Sequence, residues 1–114
     1  MPFIDFNKKK IVKVWPGING PIHHSESITI GIFALDEGIE LPEHSHPHEQ
    51  WSNLIEGRLE FNINGELTVL EPGMTALVPS NLTHSGKALT KCKVLDCFLP
   101  VREDFKELEK KQLE

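Results

Sequence analysis

Apolar and polar residues alternate along most of this chain over runs of four to eight positions, which is the two-residue period of half-buried strands and not the longer period of helices. Ile11 to Trp15 alternates and ends at Pro16-Gly17, a strand running into a turn. Ile18 to His24 carries no such pattern and reads as irregular. Ser27 to Leu35 (SITIGIFAL) is a β-branched run bounded by Ser25 and by Asp36-Glu37-Gly38, hence a buried strand. Ile39 to His46 and Gln50 to Ile55 form two more, and Glu56-Gly57 turns into Arg58 to Ile63. Asn64-Gly65 is a stronger hairpin turn, because both residues accept the positive φ that a tight two-residue connection needs. Glu66 to Leu70 returns, Glu71-Pro72-Gly73 turns, and Met74 to Val78 runs until Pro79 stops it. Asn81 is expected in a turn with positive φ, and Thr90 to Leu99 is the last long strand.

The tail from Val101 to Glu114 differs in kind. Phe105, Leu108 and Gln112 fall at helical spacing, with acids early and lysines late to complement the helix dipole. A short amphipathic helix is expected, lying on the sheets or on a partner subunit because its apolar stripe is narrow. About ten short strands with close turns predict an all-β fold, a double-sheet jelly roll enclosing a pocket.

Composition narrows the function classes. The chain has 114 residues, enough for one domain over 1–114. A net charge of -5 and the absence of a basic face, apart from Lys8 to Lys10, speak against nucleic acid. No apolar run is long enough to span a bilayer, and the N-terminus lacks the order of a signal peptide, so a cytoplasmic protein with no membrane partner is expected. Cys92 and Cys97 lie in one strand at an odd separation, facing opposite sides of the sheet, and read as reduced.

The candidate chemistry is concentrated in GIELPEHSHPHEQWSNLIEG, Gly38 to Gly57. Of six histidines, three lie within the five residues from His44 to His48. In an extended strand His44 and His46 point the same way, and Gln50 shares their parity if pairing resumes in register. Two imidazoles and an amide oxygen suit a divalent ion such as nickel, iron, manganese, cobalt or zinc, and His84 is the distant histidine that would complete the set. His48 follows Pro47 and reads either as a residue supporting the site or as one facing a ligand; Glu49 points away. His23 and His24, in polar company, read as exposed or rim residues.

These residues fall on a known pattern. Gly38, His44, His46, Gln50 and Gly57 match a first motif G-x5-H-x-H-x3,4-E-x6-G, with Gln50 in place of the glutamate. Gly73, Pro79 and His84 match a second, G-x5-P-x-G-x2-H-x3-N, from which Asn81 and Ala88 depart. The chain resembles the cupins, whose fold is the jelly-roll barrel, or double-stranded β-helix, and whose motif histidines ligate a metal. Its ending, Asp96-Cys97-Phe98-Leu99-Pro100-Val101-Arg102-Glu103-Asp104-Phe105, resembles the D-x-F-x-P-x-R-x-D-[FW] ending of small cupins of the KdgF type, which convert unsaturated uronates in pectin and alginate breakdown.

That resemblance implies a metal on His44, His46, Gln50 and His84, and active-site roles for Asp96, Phe98 and Arg102 in opening a cyclic 4,5-unsaturated monouronate. It also implies a homodimer, which the need to cover sheet edges supports. The residues themselves are compatible: Asp96 and Phe98 share a strand face with Val94, and a carboxylate turned inward needs a reason such as a nearby cation. An Asp96–Arg102 ion pair of purely structural purpose is the alternative. A metal-dependent dioxygenase, or a non-catalytic module binding a sugar or small acid, would use the same residues.

Overall fold

The structure is a computed structural model that describes residues 2–113, so Met1 and the end of the predicted helical tail, Glu114, lie outside it. It is a jelly-roll barrel of two antiparallel sheets. The first sheet uses β1 (Val12–Trp15), β2 (Ile18–Gly20), β3 (Ile22–His24), β4 (Thr29–Leu35), β6 (Glu49–Glu56), β9 (Thr75–Val78) and β11 (Cys92–Leu99). Its strands run in the order β1-β2-β4-β11-β6-β9, with β3 paired to β4. The second sheet is β5 (Glu40–His44), β10 (His84–Ala88), β7 (Leu59–Ile63) and β8 (Glu66–Leu70), in the order β5-β10-β7-β8. A 3-10 turn precedes β1 at Phe6–Lys8, and α1 (Glu103–Leu113) closes the chain. No helix among the described residues is long and apolar enough to cross a membrane.

Alternation explains which side chains fill the barrel. On β4 the buried positions are Thr29, Gly31, Phe33 and Leu35, and on β11 they include Val94 and Phe98. Val94 lies opposite Phe33 and Leu54, so the central three strands share one apolar row. The turns follow their residues: Asn64 has φ 50 and Gly65 φ 92, which lets Ile63 pair with Glu66 across the predicted hairpin. Asn81, expected at positive φ, has φ 66.

Two segments differ from the sequence reading. Ile18 to His24 is not irregular: Ile18 and Ile22 are buried at 7% and 0% exposure, and the segment forms β2 and β3, both paired to β4. Gly20 and Pro21 break the alternation, which is why no strand was visible there. His84 to Ala88 is also a strand, between β5 and β7, although Ser85, Gly86 and Lys87 carry little strand propensity. Cross-strand bonding on both sides overrides that weakness.

The helix lies on its own barrel. Phe105 and Leu108 pack on the core, and the Gln112 amide acts as a strand substitute at the open edge of β1, accepting from Lys13 N–H at 2.8 Å through Oε1 and donating to Lys13 O at 2.8 Å through Nε2. Gln112→Ala is expected to lower stability by roughly 1 kcal/mol and to speed hydrogen exchange at the Lys13 amide. Urea unfolding with amide exchange checks this, and an unchanged Lys13 exchange rate would refute the pairing.

Candidate metal centre

His44, His46 and His84 arrive from three different segments. His44 ends β5, His84 begins β10 directly opposite it, and His46 lies beyond the end of β5. Strand parity therefore does not bring His46 beside His44, as the H-x-H spacing suggested. The loop does: Asn81 N–H donates to His46 O at 2.8 Å and the Ser80 hydroxyl to Pro47 O, so the turn before β10 clamps the histidine loop. Asn81 occupies the left-handed position that the second motif gives to glycine, which asparagine tolerates.

The three ring nitrogens available for ligation lie within 4.8 Å of one another. Each ring is locked the same way: His44 Nδ1 meets Pro42 O at 2.7 Å, His46 Nδ1 meets His48 O at 3.0 Å, and His84 Nδ1 meets Leu82 O at 2.9 Å. A carbonyl oxygen only accepts, so every Nδ1 carries hydrogen and every Nε2 presents a lone pair. His84 Nε2 is buried and has no partner. His46 Nε2 stands 3.0 Å from Gln50 Oε1, and Gln50 is itself buried on β6 with its Nε2 donating to Ser52 Oγ at 2.8 Å. Lone pairs of nitrogen and oxygen thus confront one another with no proton between them, and the His44, His46 and His84 cluster fits a divalent metal ion.

Electrostatics point the same way. Burial, only partly offset by the Leu82 carbonyl and reinforced by His44, His46 and Arg102, lowers the His84 pKa to about 4. Burial and then the Arg102 charge lower His46. Neutral imidazoles are the ligating form.

A cavity of about 290 Å³ runs from His44 and His84 into the barrel, bordered by Gln50, Ser52, Asp96, Phe98 and Arg102 at the polar end and by an apolar wall including Leu59 and Phe61 further in. Asp96 faces it from β11, opposite Ser52 on β6 and Gly31 on β4. Its Oδ1 is sealed from solvent without a partner. Burial raises its pKa to about 6, with the Ser52 hydroxyl and the Arg102 charge holding it back. The structural Asp96–Arg102 ion pair is not formed. Arg102 instead gives its Nε and one terminal nitrogen to Asp104, at 3.1 and 2.6 Å, and its guanidinium lies over the Phe105 and Phe98 rings at 3.8 and 4.8 Å.

Other residues complete the surroundings. His48 has its pKa lowered by burial together with the Arg102 charge, with Asp104 opposing. Its Nδ1 is buried without a partner, and its backbone oxygen supports His46, whereas Glu49 receives the Trp51 indole N–H away from the cluster. His24, read as exposed or rim, is mostly covered: its Nδ1 lies 2.7 Å from Thr29 Oγ1, which also accepts Arg102 N–H at 2.9 Å, and its Nε2 lies 3.4 Å from Glu109 on α1. His23 meets Lys9. Cys92 is buried, Cys97 lies half-buried beyond it on β11, and both are free thiols. Sequence reasoning missed Ser52, Thr29 and Asp104; only Ser52 had a visible cue, two residues from Gln50 on one strand face.

A family model described as a cupin domain matches residues 31–98. Among solved structures, an RmlC-like cupin from Shewanella frigidimarina has a TM-score of 0.86 at 27% identity, covering 92% of this chain and 96% of that one. KdgF from Halomonas sp. has a TM-score of 0.85 at 28% identity, covering 92% and 98%. The likeness to salicylate 1,2-dioxygenase from Pseudaminobacter salicylatoxidans, at a TM-score of 0.71 and 22% identity over 76% of this chain and 27% of that one, is one of fold. No curated protein matches by sequence.

His84 and Asp96 make opposing demands on stability in metal-free protein. Unfolded, His84 would take up a proton near 6.5, but folded it resists until about 4, so stability falls as pH drops through that window, by roughly 3 kcal/mol for so buried a group. Asp96, raised from 3.8 to about 6, contributes most below 3.8 and loses that contribution as pH rises through 6. In chelator-treated protein, Asp96→Asn should be more stable than wild type at neutral pH and lose roughly 2 kcal/mol more between neutrality and pH 4.5. Urea unfolding at both pH values measures this; parallel losses in the two proteins would refute it.

Proposed function

We propose, from the premise that this chain belongs to the cupin domain family, that it is a metal-dependent enzyme opening cyclic 4,5-unsaturated uronate monosaccharides to their linear keto form. The observation that carries the reading is Asp96, an inward carboxyl with a pKa of about 6 in the cavity that His44 and His84 of the three-histidine cluster also line. A group with that pKa both accepts and returns a proton near neutrality. The likeness to KdgF, and the resemblance of the ending from Asp96 to Phe105 to that of KdgF-type cupins, support the choice of substrate.

His44, His46, Gln50 and His84 hold the divalent ion, and nickel, iron, manganese, cobalt and zinc all suit such a set. With three neutral imidazoles and a neutral amide, a bound ion keeps its full charge and supplies Lewis acidity toward an anionic, oxygen-rich ligand. Arg102 secures the uronate carboxylate with the hydrogens that Asp104 leaves free, since a guanidinium has five and the Asp104 carboxylate takes one from each of two nitrogens. Phe98, inward on β11 beside Asp96, walls the ring.

The reaction is an isomerisation that needs no oxidant. The hydrogen on O1 leaves as C1 becomes a carbonyl, the C1–O5 bond breaks to leave an enolate at C5, and this becomes a ketone as C4 gains a proton. Asp96 takes the first proton and delivers one at the end. The cavity volume suits a monosaccharide.

A homodimer also belongs to this proposal. The Phe105 and Leu108 stripe is occupied by the chain's own core, but on the outer face of β6 and β9 Trp51 and Leu77 are paired across the strands and exposed at 41% and 44%, beside the open edge of β9. Leu77→Asp should convert a dimer to monomer in sedimentation velocity; a wild-type monomer would refute the assembly.

The activity is tested by proton NMR of a 4,5-unsaturated galacturonate with metal-loaded protein under anaerobic conditions, against a chelated control. Metal-dependent loss of the cyclic signals is expected, and Asp96→Asn should slow it about 100-fold or more while retaining metal. Equal rates with and without protein would sink the reading, and an oxygen requirement would favour dioxygenase chemistry.

A further inference from the structure

Gln50 has two ends of nearly equal shape and opposite chemistry: Oε1 offers lone pairs, and Nε2 offers two hydrogens. At present Oε1 is the end that faces His46 Nε2, at 3.0 Å. Because the His46 Nδ1–H is given to the His48 carbonyl, that ring nitrogen is also an acceptor. Two acceptors in contact repel. An amide free to choose would rotate by half a turn about its terminal torsion and donate Nε2–H to the imidazole, which would occupy the lone pair that a metal needs.

What opposes the rotation is Ser52. It lies two residues along β6, on the same inward face, and is 1% exposed. Its Oγ accepts Gln50 Nε2–H at 2.8 Å. Across the strand pair, directly opposite Ser52, stands Asp96, an acceptor toward which the serine's own hydrogen can turn, leaving the serine oxygen with lone pairs for the amide. On the other side Ser52 faces Ala76 of β9, which has no polar side-chain group to substitute for it. A rotated amide would set Oε1 against those serine lone pairs, so the repulsion near His46 would be exchanged for another.

We propose that Ser52 is a positioning residue that fixes the Gln50 amide with its oxygen toward His44, His46 and His84, so that a four-donor cation site exists before the cation arrives. This deepens the metal-binding reading above and rests on it. Without the serine hydroxyl, the amide donates to His46 Nε2, and a metal must first break that hydrogen bond and turn the side chain. The cost falls on affinity and on the identity of the fourth donor, while the three histidines stay in place.

The test is a cobalt(II) titration of chelator-stripped full-length protein, comparing wild type with Ser52→Ala, Ser52→Thr and Gln50→Ala, and reading both the dissociation constant and the visible ligand-field bands. Ser52→Ala is expected to weaken cobalt binding about 10- to 100-fold and to shift the bands toward those of Gln50→Ala. Ser52→Thr, which keeps the hydroxyl, should restore both. A purely structural loss would lower affinity without moving the bands and without rescue by threonine, and that result would overturn the proposal, as would Ser52→Ala binding within about twofold of wild type with unchanged bands. Nitrogen-15 NMR of the metal-free proteins gives a second readout: the His46 Nε2 resonance should shift upfield in Ser52→Ala as it accepts the amide hydrogen, and an unmoved resonance would also count against the flip. No cobalt uptake by wild type would instead overturn the metal reading and the proposal with it, and is distinguishable because it does not depend on position 52.

Discussion

Three imidazole lone pairs aimed at one point are the constraint on which this site depends. Each is produced by the same local device, an Nδ1–H given to a backbone carbonyl, of Pro42, His48 and Leu82 in turn. Those carbonyls belong to the middle of β5 and to the loops that precede β6 and β10, so the tautomers are set by the backbone before any ligand is present. Repulsion among convergent acceptors costs stability, and the barrel tolerates it because the surrounding strands are tied by backbone bonds and a common apolar core.

The second organising element is β11. It pairs with β4 on one side and β6 on the other, and its inward row of Val94, Asp96 and Phe98 passes from core to cavity within three alternate positions. Just past its end the chain turns so that Arg102 lies over Phe98 and Phe105, with its backbone N–H on Thr29. The helix that follows is bound to the barrel at both ends, through the Arg102–Thr29 bond before it and through Gln112 on Lys13 in its last turn. Core, the Asp96 carboxyl and the Arg102 guanidinium are therefore connected through one strand and the helix it leads into.

Much of this was legible in the chain. Strand patterning marked β1, β4, β6, β7, β8, β9 and β11, and β5 with its end two residues too far on, at His46 instead of His44, because a half-buried sheet imposes a period of two, and Asn64-Gly65 marked its hairpin because few residue pairs accept those dihedrals. The histidine cluster was legible for a different reason: three imidazoles in five residues have no ordinary use on a surface. β2, β3 and β10 were not, since glycine, proline and polar residues interrupt their alternation, and their strand state comes from bonding to neighbours that are remote in the chain.

The amino-acid sequence by itself determined the all-β architecture, the inward face of each patterned strand, and the donor types that reach the centre, because alternation, turn dihedrals and side-chain chemistry are local properties. Only the tertiary structure decided how those donors meet. His46 reaches the cluster through a loop clamped by Asn81 and not through strand parity, Arg102 pairs with Asp104 and not with Asp96, and Ser52 faces both the Gln50 amide and the Asp96 carboxyl. Each of these depends on which strands lie side by side and in what register, and cross-strand register is settled by the packing of the whole barrel.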